Sequence, residues 1–301
     1  MKSRAGSHVT LGGLTLGVVL GVLVLPVAGC QTAPADLSGH EKETKAAWDA
    51  LKAEKYADAM KHADVCIKEF RGTATRRQKE LDDAKTAVPN GRVTDAQKAA
   101  IHNNGPLNDV ATAYYVKARA AHKLVQKAEV EKALAEAEKY PAARCWDPQG
   151  WFWSPAEAAV IFRTNPELAD KAVHEALVAL AWDALNRGDH AKAAEFADKC
   201  VVAHHAAATA MEKDLAKRGV RPPTGAVEEG AKAGVFENGV LNDTATAFFI
   251  KGKAAEGRGD KMAAVAAYSG AVALSRGRCW DPKGWFWSPA EAAQDRLDIL
   301  R

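Results

Sequence analysis

The residues best suited to chemistry sit in a sixteen-residue stretch that the chain carries twice. Residues 144–159 read RCWDPQGWFWSPAEAA and residues 278–293 read RCWDPKGWFWSPAEAA, differing only at Gln149 and Lys283. Two carboxylates flanking a glycosidic bond are the machinery of glycan hydrolysis. The repeated acids here are Asp49/Asp183, Asp109/Asp243, Asp147/Asp281 and Glu157/Glu291. Three of these pairs have a local reading. Asp147-Pro148-x-Gly150 fits a type I turn. Ser154-Pro155-Ala156-Glu157 fits a capping box with proline at the first helical position. Leu-Asn-Asp at 107–109 and 241–243 precedes an apolar-periodic run, so Asp109 and Asp243 read as N-caps. Asp49 and Asp183 lie on an ordinary amphipathic helix. His40-Glu41 and His174-Glu175 do not extend to HExxH, because Thr44 and Val178 hold the needed positions. His204-His205 has no counterpart in the first copy. No serine nucleophile motif, phosphate loop, dinucleotide fingerprint or clustered Cys/His spacing is present. The expectation is no catalytic residue, no metal and no cofactor, with a glycan-cleaving enzyme as the weakest reading.

All eight tryptophans fall in equivalent pairs, 48/182, 146/280, 151/285 and 153/287. Large aromatics plug the grooves left between alanine-rich helices. In an extended Trp151-Phe152-Trp153, the two tryptophans point one way and Phe152 the other. One face is then core and the other is available for stacking on sugar rings or anchoring a peptide. Trp151, Trp153, Trp285 and Trp287 are the candidate binding residues.

Four cysteines are also paired, Cys66/Cys200 and Cys145/Cys279, separated by 79 residues in both copies. In an oxidising compartment, Cys66–Cys145 and Cys200–Cys279 are candidate disulfides, one per copy. The alternative is four buried thiols, since Cys66 and Cys200 fall where a helix expects a small packing residue.

The motif recurs at a spacing of 134 residues, which sets the period of an internal duplication. Alanine dominates the apolar residues and strand-like alternation is rare, so the chain is expected to be all-α. Ala46, Ala47, Ala50 and Leu51 form a helical stripe, as do Leu177, Leu180, Ala181 and Ala184. Breaks at Glu54-Lys55 and Arg187-Gly188-Asp189 precede second helices carrying Ala59, Ala63, Cys66, Ile67 and Ala193, Ala197, Cys200, Val201. Between the hairpins of each copy, at about 70–106 and 206–240, lies an insertion. It extends the preceding helix and then passes through Val88-Pro89-Asn90-Gly91 or Arg221-Pro222-Pro223-Thr224-Gly225.

The hairpins resemble the tetratricopeptide repeat, a 34-residue helix–turn–helix unit. Gly252, Ala255, Gly259, Asp260, Ala264, Tyr268 and Ala271 fall where that family places small, turn and packing residues. The family's closing proline is missing, and Gln126-Lys127 replaces the Gly-Asp turn in the first copy. The resemblance implies helical hairpins stacked into a short solenoid of two tandem modules, 41–163 and 164–301. Asn165-Pro166 opens the second as a cap and first-turn proline.

Residues 1–29 read as an export signal: Lys2 and Arg4, an uncharged apolar run from Val9 to Ala28, and a small-residue end. Val27-Ala28-Gly29-Cys30 resembles the lipobox of bacterial lipoproteins, which implies cleavage before Cys30 and lipidation of its thiol. The alternative is an uncleaved membrane anchor. Gln31, rather than Asp, follows the cysteine, which by the enteric sorting pattern implies the outer membrane where a cell has two. Residues 30–40 form a polar tether. Without the signal the chain has 39 basic and 38 acidic residues, which gives no case for nucleic-acid binding.

The whole pattern resembles a group of exported bacterial tetratricopeptide-like proteins with the same Cys-Trp-Asp-Pro…Gly-Trp-Phe-Trp…Pro-Ala-Glu-Ala-Ala ending. Some of that group bear a β-glucanase-precursor name. The resemblance implies a repeat fold and envelope location. The expected function is a lipid-anchored scaffold that holds a protein or peptide partner. The alternative is a cell-wall glycan binder using its tryptophans.

Overall fold

The computed structural model describes residues 37–147 and 150–300. The chain is mostly helical, as the alanine-rich periodicity requires. The first copy runs α1 (Gly39–Lys52), α2 (Tyr56–Asp83), α3 (Asp95–His102), α4 (Gly105–Lys123), α5 (Lys127–Ala137), β1 (Cys145–Asp147), β2 (Trp151–Trp153) and α6 (Pro155–Thr164). The second runs α7 (Val173–Asn186), α8 (His190–Lys217), α9 (Glu229–Phe236), α10 (Gly239–Gly257), α11 (Lys261–Ala273), β3 (Cys279–Asp281), β4 (Trp285–Trp287) and α12 (Pro289–Leu300). The short strands form two antiparallel hairpins, β1–β2 and β3–β4.

Local chemistry explains the breaks. Between α7 and α8, Gly188 takes φ +77° and the Asp189 side chain accepts from the Lys192 amide at 3.0 Å. Between α10 and α11, Gly259 and Asp260 repeat this, the latter accepting from Ala263 at 2.9 Å. The first copy makes the same turns without glycine, placing Glu54 and Val125 at φ +59° and +60°. Left-handed backbone costs a non-glycine residue about 1–2 kcal/mol. Asn165 does cap a turn, its side chain accepting from Glu167 at 3.0 Å. That turn is only a single 3₁₀ turn, Pro166–Leu168; α7 starts later, at Val173.

Helices α1, α4, α6, α7, α10 and α12 form one row, each packed on the next. The outer helices bridge successive members of this row: α2 packs on α1 and α4, α5 on α4 and α6, α8 on α7 and α10, and α11 on α10 and α12. One buried cluster runs from Ala47 through Tyr115, Phe162, Leu177 and Cys200 to Ile250. The two copies therefore share a core, and the chain from Leu37 onward clusters as one compact unit. Small clusters beneath α11–α12 and between α8 and α10 extend the core toward the C-terminus.

Substitutions between copies compensate in size. Buried Ala118 and Leu134 become Gly252 and Tyr268. A Cβ on Gly252 would lie 2.4 Å from the Tyr268 ring. Glycine is therefore required for this close approach. The final helix differs from α6 on its outer side. Buried Ile161 and Phe162 become Asp295 and Arg296, and Arg296 reaches Glu256 at 2.5 Å.

Candidate functional site

The duplicated motif is built as a tied-down hairpin. Asp147 pairs with Trp151, Trp146 with Phe152 and Cys145 with Trp153, and the second copy repeats the register. Gly150 and Gly284, at φ +102°, close the loops by donating to Asp147 and Asp281 carbonyls at 2.9 Å. The Pro/Gly segment of each insertion adds a third edge: Gly91 exchanges two backbone hydrogen bonds with Phe152, and Gly225 two with Phe286. Arg144 and Arg278, the first residues of the motif, are 8% exposed and spend their donors on backbone carbonyls. Arg144 donates to Pro89 at 3.0 Å, to Pro141 and Ala143 at 2.7 Å, and to Val88. Arg278 likewise reaches Pro222, Ser275 and Gly277. Burial pushes the Arg144 guanidinium down to about 10.

Asn108 and Asn242 lock the same region. Each amide donates to the end of an insertion helix, at Ile101 or Val235, and accepts from the Arg144 or Arg278 amide, all at 2.8 Å. These asparagines are inside α4 and α10, not at their starts. Asn104 and Asn238 hold the N-cap positions, which corrects the N-cap reading of Asp109 and Asp243. Asp109 instead meets His40 Nδ1 at 2.5 Å and Asp243 meets His174 at 2.6 Å, tying α4 to α1 and α10 to α7. Burial raises the Asp109 carboxyl while His40 draws it the other way. Ser38 Oγ lies 3.0 Å from His40 Nε2 and 3.3 Å from Nδ1. The Ser38 hydroxyl donates to the Glu41 carboxylate at 2.8 Å, which commits its proton to the start of α1. The second copy keeps the His–Asp tie with Ala172 in place of Ser38.

The other repeated acids are also engaged. Asp49 and Asp183 are exposed and pair with Lys45 and Arg187 on their own helices. Only half of each expected capping box forms: Ser154 and Ser288 accept from the Glu157 and Glu291 amides, at 3.3 and 3.2 Å. The Glu157 carboxylate instead accepts from Asn90 at 3.1 Å, and burial raises its pKa against the pull of Arg144.

The cysteine pairings are corrected: Cys66, Cys145, Cys200 and Cys279 are free thiols. Cys66 is fully buried in α2 and lies 3.4 Å from the Thr44 hydroxyl. Cys200 is fully buried in α8, and Cys145 and Cys279 sit on edge strands. Burial pushes Cys66 and Cys145 up to about 12 and Cys279 to about 11, far from a reactive thiolate.

The tryptophans divide by side of the hairpin. Phe152 and Phe286 are 2% and 1% exposed, so the phenylalanine side is the more deeply buried one. Trp153 joins an aromatic triad with Trp48 and Tyr115, with ring centroids 6.3 and 5.6 Å away. Trp287 does so with Trp182 and Phe249, at 6.4 and 5.3 Å. Trp151 is half-buried and Trp285 is 39% exposed. The sequence pattern did not single out Trp146, which is 37% exposed and lies against Phe152 at 4.9 Å with the Lys98 ammonium 4.1 Å over its ring. Trp280 is arranged the same way beneath Lys232 and Phe236. The signal for this pair was present in the identity of the two copies.

The copies differ in what covers them. Asn90 is buried and Glu157 half-buried, whereas their counterparts Thr224 and Glu291 are exposed. Beside the first copy lies α8, where Ala207 approaches Gly91. No family model, curated protein or solved structure matches the chain. Cys30 and the export signal lie outside the described residues. Among the described residues, no helix is long and apolar enough to cross a membrane.

Proposed function

We propose that this chain is a lipid-anchored scaffold of the cell envelope, built from tetratricopeptide-like hairpins in a short two-module solenoid, that holds a protein or peptide partner. The observation that carries the reading is the unbroken row α1–α4–α6–α7–α10–α12, which carries an aromatic triad in each copy, covered by the linker in the first and half-buried in the second. Rigid aromatics on a preformed helical surface are efficient anchors for a partner. Within the duplicated motif, Glu157 accepts from Asn90 and the Cys145 and Cys279 thiols are held by burial far above the reactive range, which favours recognition as its use. Photo-crosslinking residues placed at exposed Asp49 and Asp183, in cells, should give a discrete adduct; none from either position refutes the reading. Fatty-acid labelling that disappears in Cys30→Ser tests the anchor.

A glycan-binding reading is supported by exposed Trp146 and Trp285. Retention on insoluble cell-wall glycan that is lost in Trp285→Ala would favour it.

A further inference from the structure

The duplication provides a template for the partner. In the first copy, the triad of Trp48, Tyr115 and Trp153 is covered by the chain's own linker. Leu168 and Ala169 pack against the core cluster to which Tyr115 belongs. The Tyr115 hydroxyl donates to the Ala169 carbonyl at 3.3 Å, and Arg119 holds the Asp170 carboxylate at 2.6 Å. The Arg119 guanidinium also lies 5.8 Å from the Trp48 and Tyr115 ring centres. The covering segment is a single 3₁₀ turn, started by Asn165 and Pro166.

The second copy repeats the aromatic arrangement, with no counterpart of the Leu168–Asp170 turn among the described residues. Trp182 lies 6.3 Å from Phe249 and 6.4 Å from Trp287, against 6.3 Å for both equivalent distances in the first copy. Lys253 stands in place of Arg119. Asn165 and Pro166 end α6, but their counterparts Ile299 and Leu300 continue α12, so the backbone does not turn back over Phe249 there. Tyr115 is 2% exposed, whereas Phe249 is half-buried. The Lys253 ammonium has Glu256 3.7 Å away, and that carboxylate is already held by Arg296 and the Tyr268 hydroxyl. Lys253 follows Phe249 by one turn of α10, as Arg119 follows Tyr115 on α4, so a cation shares the helix face of a half-buried aromatic ring.

We infer that Trp182, Phe249, Trp287 and Lys253 form a docking site for a partner protein presenting a short turn of the Leu-x-Asp type. The leucine packs on the aromatic triad and the carboxylate reaches Lys253. Phe249 lacks the hydroxyl that Tyr115 offers a backbone carbonyl, so the leucine and acid carry recognition. A second copy of this chain is a poor occupant, since its own Leu168–Asp170 turn is engaged internally. The inference rests on the scaffold reading and names the partner class at one of its two triads.

The test uses the full-length chain in detergent and a fluorescent peptide with the sequence of residues 164–172, followed by anisotropy. Saturable binding is expected. Lys253→Glu should weaken it roughly tenfold or more, the loss expected for a charge-assisted hydrogen bond. A peptide with lysine for its aspartate should bind the Lys253→Glu chain better than the original peptide does. Helix content by circular dichroism checks that the variant is folded. Absence of saturable binding, or binding indifferent to Lys253→Glu, overturns the proposal. Dimerisation of the chain abolished by Lys253→Glu would also overturn it, by making a second copy the occupant. Adducts from Asp49 or Asp183 alongside failed peptide binding would leave the scaffold reading standing and remove only this partner class.

Discussion

Replacing His204 with phenylalanine should make the protein more stable and remove a specific pH dependence. His204 is 3% exposed on α8, and neither ring nitrogen has a hydrogen-bond partner among the described residues. Its ring meets His174 edge-on at 5.5 Å, where the first copy sets Phe70 against His40 at 5.4 Å. The site is thus shaped for an aromatic ring and holds two idle polar atoms. Each unsatisfied buried group costs about 1–3 kcal/mol, so His204→Phe should gain on that order at neutral pH. Burial, with His174 and Arg144 nearby, pushes His204 down from 6.5 to about 3. Between those values the unfolded chain binds a proton that the folded chain refuses. Stability is undiminished above pH 6.5 and falls as pH drops toward 3. The linkage relation gives a loss of about 2 kcal/mol at pH 5 relative to pH 7.5. Urea denaturation of both proteins at the two pH values measures it, and contributions from other groups cancel in the difference. The gap between variant and wild type should widen by about 2 kcal/mol on acidification. A gap that stays constant within about 0.5 kcal/mol, the usual limit of additivity, would refute the assignment of a buried, neutral His204.

Three further outcomes follow from the geometry. Gly252→Ala should destabilise by about 1–3 kcal/mol through overpacking against Tyr268, and adding Tyr268→Leu, which restores the Ala118–Leu134 pair of the first copy, should recover most of it in thermal melts. Arg144→Leu should destabilise by about 1–3 kcal/mol, because it leaves buried backbone carbonyls without a donor, and by more than Arg278→Leu, because Arg144 also offsets the burial of Glu157 whereas Glu291 is exposed; equal losses in urea titrations would refute the distinction. The thiols of Cys66, Cys145, Cys200 and Cys279 should react slowly with a disulfide reagent in the folded protein and rapidly in denaturant; protection that persists in denaturant until a reductant is added would show that they are paired.

The helices were legible because their signals are local. Apolar spacing, the Gly188-Asp189 and Gly259-Asp260 turns and the Ser154 and Ser288 caps all act within a few residues. The partners across the fold were not. Arg144 meets Pro89 across 55 positions, and each His–Asp tie spans 69. Hydrogen-bond capacity names no partner at that distance; only the matching offset in both copies hinted at the ties. The N-cap reading of Asp109 failed for this reason: a local rule was applied to a residue whose partner lies on another helix.

The sequence alone determined the duplication, its period, the helical class and the turn within each Trp-rich motif. These follow from identity and short-range stereochemistry. Tertiary packing decided what the motif does in each copy. Both hairpins are nearly identical in sequence, yet Glu157 is half-buried and Glu291 exposed. The α6–α7 linker covers Tyr115, while α12 continues past Phe249. Exposure depends on what lies beside a segment, and identical segments with different neighbours are left with different surfaces.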